Sequence, residues 1–250
     1  PARTMKNIFF CAAMAVLLLC GCTGERVWRI GVSQCSDDDW RTKMNDEIRR
    51  EALFHDNIEV EIRSAADDNE RQTEDIRYFA ANGFDIIVCA PNEADALTPV
   101  IKEVYESGIP VVLFDRNIHG ESYTSWQGAD NVEIGRMAAQ YAYSLTGGAA
   151  ENTRVIEIYG LEGSTPAVER HEGFRRTADS LGIRVLGGMH GNWVPGDGAK
   201  AARELLTQYP QANVIYAHND RMAMGAAEAL KKAGRHDIKI VGIDATPEIG

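Results

Sequence analysis

Short apolar runs rich in Val and Ile alternate along the chain with segments whose apolar residues recur every three or four positions, such as Met44, Ile48 and Ala52. The first pattern predicts buried strands and the second predicts amphipathic helices, so their alternation indicates βαβ units around parallel sheets. The predicted strands cover residues 27–32, 58–62, 85–90, 111–115, 154–159, 183–186, 214–217 and 239–243. The pattern therefore predicts an α/β fold with helices on both faces of each sheet.

The stretch from 116 to 131 interrupts this alternation because it has no helical stripe and contains Gly120 and Gly128. We interpret it as the boundary between two lobes of four strands each, covering residues 25–128 and 129–250. Ligand sites form preferentially in the cleft between two such lobes.

Composition narrows the class of protein. The hydrophobic share of 44% and the charged share of 25% are ordinary for a globular protein. The net charge of −11 repels phosphate backbones, which argues against a nucleic-acid partner.

The N-terminal residues 1–24 form a separate segment. Arg3 and Lys6 precede an apolar run over 8–19 that is short for a bilayer span, which predicts a signal peptide and export. The sequence from Leu19 to Cys22 resembles a bacterial lipobox, which makes Cys22 the candidate lipidation site. An uncleaved signal that anchors the protein in the membrane is the alternative.

Two cysteines, Cys35 and Cys89, remain in the folded part, each at the end of a predicted strand. Neighbouring parallel strands could bring them close enough to pair, although buried free thiols are the commoner outcome. No CxxC motif or Cys/His ligand spacing occurs, so the sequence predicts no metal site.

The loops that follow the predicted strands are unusually polar, and ligands of open α/β sheets bind at the carboxyl ends of the strands. Carboxylates, amides and guanidinium groups match vicinal hydroxyls, and indole faces suit the C–H side of a sugar ring. These loops predict a neutral, polyhydroxylated ligand. They contain residues 34–40, Asp67 and Asp68, Pro91 and Asn92, Asp115 and Arg116, Ser164, Asn192 and Trp193, Asn219 and Asp220, and Asp244.

Structural roles compete with ligand contact at each of these positions. Residues 37–39 and Asn219 precede helices and could serve as N-caps. Trp40 lies one turn before an apolar stripe and could pack in the core. The Asp115–Arg116 pair could be a local ion pair, and Arg170 could lie on a solvated helix face. No HExxH, GxSxG, Walker A or GxGxxG motif is present, so we expect neither catalysis nor a cofactor.

From about Arg29 onward the chain resembles periplasmic sugar-binding proteins of the ribose-binding type, which are related to the ligand domains of lac-repressor-like regulators. A cytoplasmic repressor would need a helix-turn-helix where this chain has its signal. The segments that carry the resemblance are 109–116, 130–135, 163–174, 219–226 and 241–246.

The resemblance implies a two-lobed periplasmic binding protein fold whose C-terminal part is missing from this chain. It implies sugar contacts from Asp115 and Arg116 in the first lobe, and from Arg170, Asn219 and Asp244 in the second. The first loop, with Asp37 and Trp40, departs from the family's Asn-Pro-aromatic-aromatic pattern, which leaves pentose and hexose open. Trp40 and Trp193 correspond to stacking aromatics.

The segment 32–48 is more specifically similar to the sensor domains of hybrid two-component regulators, which fuse this fold to a membrane helix and a histidine kinase. The lipobox instead favours a lipoprotein that delivers sugar to the permease of an ABC transporter. We expect periplasmic binding of a monosaccharide, with lobe closure read by a membrane partner, and we favour the sensor.

Overall fold

The computed structural model describes residues 26–247, so the predicted leader and Cys22 lie outside the described residues. Every strand pair within the two sheets is parallel. The sheet orders are β2-β1-β3-β4-β5 and β7-β6-β8-β9. The strands are β1 Trp28–Gln34, β2 Ile58–Ser64, β3 Ile86–Cys89, β4 Val111–Phe114, β5 Ser125–Gln127, β6 Arg154–Tyr159, β7 Arg184–His190, β8 Val214–Ala217 and β9 Lys239–Val241.

Helices connect most of the strands, and four of the seven within residues 26–247 begin where a short polar side chain caps the first turn. Asp38, Asp68, Asp130 and Asn219 each accept a hydrogen bond from a backbone N–H of the following first turn. The helices are α1 Asp39–Ala52, α2 Asn69–Ala81, α3 Ala94–Glu106, α4 Asn131–Leu145, α5 Thr165–Leu181, α6 Pro195–Gln208 and α7 Asp220–Lys232. Within residues 26–247, none of these helices has the length and apolar character needed to cross a bilayer.

Both sheets are covered on two faces, as the sequence pattern predicts. In the first lobe, α2 and α3 bury Phe79 and Leu97 against one face, while Met44 of α1 packs near Val32 on the other. In the second lobe, α6 and α7 form one core and α4 and α5 form another, the latter around Phe174. This layering leaves the carboxyl ends of the strands free to build a site.

The eight predicted strands are all present, but the prediction of four strands in the first lobe was wrong. The short β5 pairs with β4 and makes a fifth strand, with Trp126 opposite Leu113. Three residues are too few to give a readable alternation. In the second lobe, β7 continues to His190, beyond the predicted end at residue 186. The prediction stopped early because Gly187 and Gly188 interrupt the apolar pattern. A Cβ at Gly188 would lie 2.2 Å from the Tyr159 hydroxyl.

The chain passes from the first sheet to the second between the end of β5 and the start of α4. Cys35 and Cys89 are both buried and both free, so the disulfide alternative does not hold in this structure. Burial raises the pKa of the Cys89 thiol, which keeps it protonated.

Candidate functional site

A cleft of about 610 Å³ lies between the two lobes, at the carboxyl ends of the strands. It is large enough for a monosaccharide, because small-molecule sites usually occupy roughly 300 to 1,000 Å³. Its lining combines charged groups with two indole rings. The lining residues are Asp38, Asp39, Trp40, Arg41, Asp115, Arg116, Ala129, Ile134, Pro166, Arg170, Trp193, Asn219, Arg221, Gly242, Ile243, Asp244, Ala245 and Thr246.

The cleft brings together all of the predicted site residues except Asp37. Asp38 takes the N-cap of α1, and Asp37 precedes it as an exposed residue that lines a neighbouring cavity of about 230 Å³. The predicted residues that line the main cleft are Trp40, Asp115, Arg116, Arg170, Trp193, Asn219 and Asp244.

Asp115 projects from the end of β4 in a left-handed backbone conformation, with φ at 60°. Such a conformation is unfavourable for a residue with a Cβ and is typical of functional sites. Its carboxylate forms a close ion pair with Arg41, whereas the Nε of Arg116 lies 3.9 Å away. The local pair with Arg116 is therefore the weaker of the two, and Arg41 is the principal partner of Asp115.

A buried asparagine holds Arg116 in place. The Nη1 of Arg116 donates to the Asn92 carbonyl oxygen at 2.8 Å and to its Oδ1 at 3.1 Å. Asn92 is itself fixed, because its N–H donates to the Oε1 of Gln72 at 2.8 Å. The guanidinium is thus oriented before any ligand arrives, which lowers the entropic cost of binding.

Arg170 is buried rather than solvated, contrary to the alternative that placed it on an exposed helix face. Its Nε donates to the Oδ1 of Asn131 at 3.0 Å, and its Nη1 donates to the His218 carbonyl oxygen. Its Nη2 lies 3.8 Å from the Oδ1 of Asp244. Arg170 therefore joins α5 to the ends of β8 and β9.

Asn219 takes the N-cap position that the sequence analysis gave as its structural alternative, and it also lines the cleft. Its Oδ1 accepts from the Met222 N–H at 2.9 Å as the N-cap of α7, and its Nδ2 donates to the Trp193 carbonyl oxygen at 3.2 Å. Trp193 rests on Gly160, where a Cβ would lie 2.0 Å from the indole. Its ring centroid is 5.9 Å from the Arg116 guanidinium and 5.7 Å from that of Arg170. One indole therefore contacts the arginines of both lobes.

Trp40 does not join the apolar stripe of α1. Its side chain is exposed at the cleft, and the Arg41 guanidinium lies 4.7 Å from its ring centroid. The core-packing alternative is wrong because Trp40 occupies the first turn of α1, beyond the edge of the sheet that Met44 and Ile48 cover.

Burial raises the pKa of Asp244 to about 6, outweighing the favourable charge of Arg170. The nearby carboxylates of Asp220, Asp115 and Asp38 add to this rise. Asp244 also has a left-handed backbone, with φ at 107°. A carboxyl group in this environment gains from a ligand hydroxyl that donates a hydrogen bond to its charged form.

Sequence reasoning missed Arg41 and Arg221, and it included Asp38 only among the polar residues 37–39, one of which was expected to cap a helix. Arg41 is buried, and its Nη1 has no hydrogen-bond partner within the described chain. Asp38 and Arg221 approach across the lobes, with 3.7 Å between Oδ2 and Nη1. Arg41 lies in the first turn of α1, the helix that follows β1, and this position could have identified it as a cleft residue from the sequence. The pairing of Asp38 with Arg221 could not be predicted, because it depends on how the two lobes face each other.

The cleft supplies rigid donors, acceptors and indole faces, which is the chemistry of hydroxyl recognition. Residues 26–247 contain no group of three or more His, Cys, Asp or Glu side chains that could hold a metal ion.

Residues 30–249 match the model of the periplasmic binding protein domain. The chain belongs to this family. A solved structure of the fructose-binding periplasmic domain of hybrid two-component system BT1754 superposes on it with a TM-score of 0.85 and 46% identity, covering 89% of this chain and 74% of that one. A galactofuranose-binding protein structure has a TM-score of 0.83 and 28% identity, covering 89% of this chain and 78% of that chain.

Among curated relatives, the ribose import binding protein RbsB of Escherichia coli strain K12 is 31% identical over 71% of this chain. That alignment covers 59% of RbsB, so the chain spans about three-fifths of the length of this relative. The galactofuranose-binding protein YtfQ of the same organism is 29% identical, covering 88% of this chain and 72% of YtfQ. These relatives are binding proteins, and the family is periplasmic.

Proposed function

We propose that this domain binds a neutral monosaccharide between its two lobes. The observation that carries the proposal is the set of preoriented guanidinium and carboxylate groups that face one cleft between Trp40 and Trp193. Arg41, Arg116 and Arg170 can donate to ring or hydroxyl oxygens, while Asp115 and Asp244 can accept from hydroxyls. Because the cleft is lined by four arginines and four aspartates, a neutral ligand satisfies them better than an ion does.

The contacts that we assign to the sugar come from both lobes. From the first lobe we assign Asp115, Arg116 and Trp40, and we add Arg41, whose Nη1 is unpartnered within the described chain. From the second lobe we assign Arg170, Trp193, Asn219 and Asp244. Asp37 keeps only an outer role, because it lines the neighbouring cavity.

Fructose is the first ligand to test, because the solved structure with 46% identity is named as a fructose-binding domain. Isothermal titration calorimetry against fructose, ribose and galactose, with fructose 6-phosphate as a charged control, measures the preference. We expect a neutral sugar to bind and the phosphate to bind much more weakly. Binding of the phosphate or of a peptide, with no heat from any neutral sugar, would disprove the proposal.

We further propose that the domain acts as the periplasmic sensor of a hybrid two-component regulator. The similarity to the BT1754 domain supports this role over delivery to an ABC transporter, although the relatives RbsB and YtfQ keep transport as the second candidate. The downstream reading frame separates them. A continuous frame into a histidine kinase supports the sensor, and a stop codon shortly after this domain supports the transporter.

We propose that residues 1–24 direct export and attach the domain to the membrane. Mass spectrometry of membrane-derived protein distinguishes a lipidated Cys22 from a retained apolar run. An unmodified Met5 terminus in the cytoplasm would refute export altogether.

A further inference from the structure

The end of the first lobe opposite the cleft carries an exposed apolar surface, which we call the far-end patch: Val27, Trp28, Leu53 and Phe54. Leu53 and Phe54 are 83% and 76% exposed, more than any other large hydrophobic residue of the described chain. Val27 and Trp28 are 45% and 39% exposed. Exposed apolar residues that are grouped in this way mark interaction sites more often than isolated ones do.

Backbone pairing places these residues together. Leu53 and Phe54 follow the last turn of α1, and the chain then turns directly into β2. Trp28 donates its N–H to the Asn57 carbonyl oxygen at 2.8 Å and pairs in register with Ile58 at the start of β2. The patch therefore lies at the amino ends of β1 and β2, whereas the cleft lies at their carboxyl ends.

The N-terminal segment joins the lobe beside this patch. The described chain begins at Arg26, whose guanidinium lies 4.0 Å from the Trp28 ring centroid. The four residue-to-residue steps from Cys22 to Arg26 span at most about 14 Å even when fully extended. If Cys22 or the apolar run before it sits in a membrane, the first lobe cannot move far from the lipid surface.

We propose that the far-end patch rests on the lipid bilayer, so that the tethered domain has its cleft directed away from the membrane. Trp is favoured at membrane interfaces, and Leu and Phe insert their side chains below the headgroups. An apolar patch beside the tether adds a second contact with the same membrane. This proposal rests on the proposed membrane attachment and not on sugar binding.

Quenching of tryptophan fluorescence by brominated lipid tests the proposal. The full chain is reconstituted into phosphatidylcholine vesicles whose acyl chains carry bromine, and its emission is compared with that of Trp28→Phe. The other tryptophans are Trp40, Trp126 and Trp193. We expect brominated lipid to remove most of the Trp28 component and to leave the remainder unchanged.

A paired substitution provides the control. Leu53→Ser with Phe54→Ser should reduce the quenching of Trp28, whereas Met137→Ser with Tyr141→Ser, an exposed pair on α4, should not. Absence of Trp28 quenching, or equal loss with both pairs, overturns the proposal. The proposal is also overturned if Trp28 emission changes with the amount of protein per vesicle and not with bromination of the lipid. That result would assign the patch to a second copy of the chain. Calorimetry with sugar on the same vesicles reports separately on the proposed function.

Discussion

Each lobe presents two arginines to the cleft, and one from each lobe, Arg116 and Arg170, is held in place by different means. In the first lobe, Arg116 hydrogen bonds to Asn92, a neutral residue. In the second lobe, Arg170 bonds to Asn131 and to the carbonyl oxygen of His218. His218 belongs to a buried acid–imidazole cluster, so the support of Arg170 includes titratable groups. The support of Arg116 by Asn92 does not.

The cluster beneath Arg170 centres on Glu157, which is fully buried in β6. The Nε2 of His218 lies 2.9 Å from one carboxylate oxygen, and the Nδ1 of His171 lies 3.1 Å from the other. Burial opposes ionisation of Glu157, but these hydrogen bonds outweigh it and lower the pKa of the carboxyl group. The bond to Glu157 raises the pKa of His171, while burial lowers the pKa of His218. These shifts favour a charged Glu157, a protonated His171 and a neutral His218.

Similar groups in the cleft therefore have supports that differ in their sensitivity to pH. Asn92 and Asn131 keep their hydrogen bonds at any moderate pH. Arg170 instead lies near Asp244, whose pKa is raised to about 6, and bonds to the carbonyl oxygen of His218, a member of the Glu157 cluster. We expect the second lobe to be the pH-sensitive half of the site, and substitutions in both lobes test how far the two halves differ.

Glu157→Ala should produce the largest effect, because it leaves two imidazoles without their acceptor. We expect a loss of about 3 kcal/mol in the free energy of unfolding, the lower end for breaking a buried charged pair. The first-lobe control is Asp75→Ala, because Asp75 is buried but its partner Arg63 is 39% exposed. That change should cost only about 1 kcal/mol. Urea denaturation of both variants decides, and equal losses would contradict the comparison.

Arg116→Ala and Arg170→Ala should each weaken sugar binding about ten- to a hundredfold, since a charged hydrogen-bond partner contributes roughly 1.5 to 3 kcal/mol. Asp115→Ala should weaken it over the same range. Calorimetry gives the affinities, and thermal melting without sugar gives the stability. Intact affinity with a lowered melting temperature would assign these residues to structure alone.

Gly135→Ala should disturb the second lobe, because a Cβ there would lie 2.2 Å from the Arg170 carbonyl oxygen. Overpacking of this kind costs about 1 to 3 kcal/mol and here also displaces the backbone that carries Arg170. We expect both the free energy of unfolding and the sugar affinity to fall. Gly196→Ala, which meets nothing within 4 Å, is the matched control and should leave both unchanged. A loss of stability without a loss of affinity would separate Arg170 from this helix crossing.

Lowering the pH from 7 to 5 should weaken sugar binding by up to about tenfold, because a carboxyl group with a pKa of about 6 is then mostly protonated. Asp244→Asn should abolish this pH dependence, and Asp115→Asn should retain it. Calorimetry across this range provides the test. A pH dependence that survives in Asp244→Asn would transfer the effect to the cluster around Glu157.

The sign for stability is opposite to that for affinity. The folded pKa of Asp244 lies above the unfolded value, so the folded state binds more protons between about pH 4 and 6. The contribution of Asp244 to the free energy of unfolding of the sugar-free protein is therefore lost as the pH rises through this window. Asp244→Asn, compared with the unsubstituted chain in urea denaturation at pH 4 and 7, isolates this contribution.

The order of strands and helices, and seven of the residues that line the cleft, could be predicted from the sequence alone. Val/Ile runs and helical stripes depend on local periodicity, and the carboxyl ends of parallel strands lie at one edge of a sheet whatever the details. Asp115, Arg116 and Asn219 could therefore be located from their positions just after strands. Two features were not predicted. The strand β5 is too short to show alternation. The last four residues of β7 begin with two glycines, which are explained only by the packing of Tyr209 and Tyr159 over them.

The tertiary structure determines which of these polar groups are in contact with one another. The pairing of Arg41 with Asp115 joins residues 74 positions apart, and Asp38 meets Arg221 only because the two lobes face each other. The Glu157 cluster was invisible in the sequence, since its members lie on β6, α5 and the end of β8. Local sequence specifies where a side chain can begin, but the balance of burial and charge that sets its pKa and its partners depends on distant residues, and folding alone brings these together.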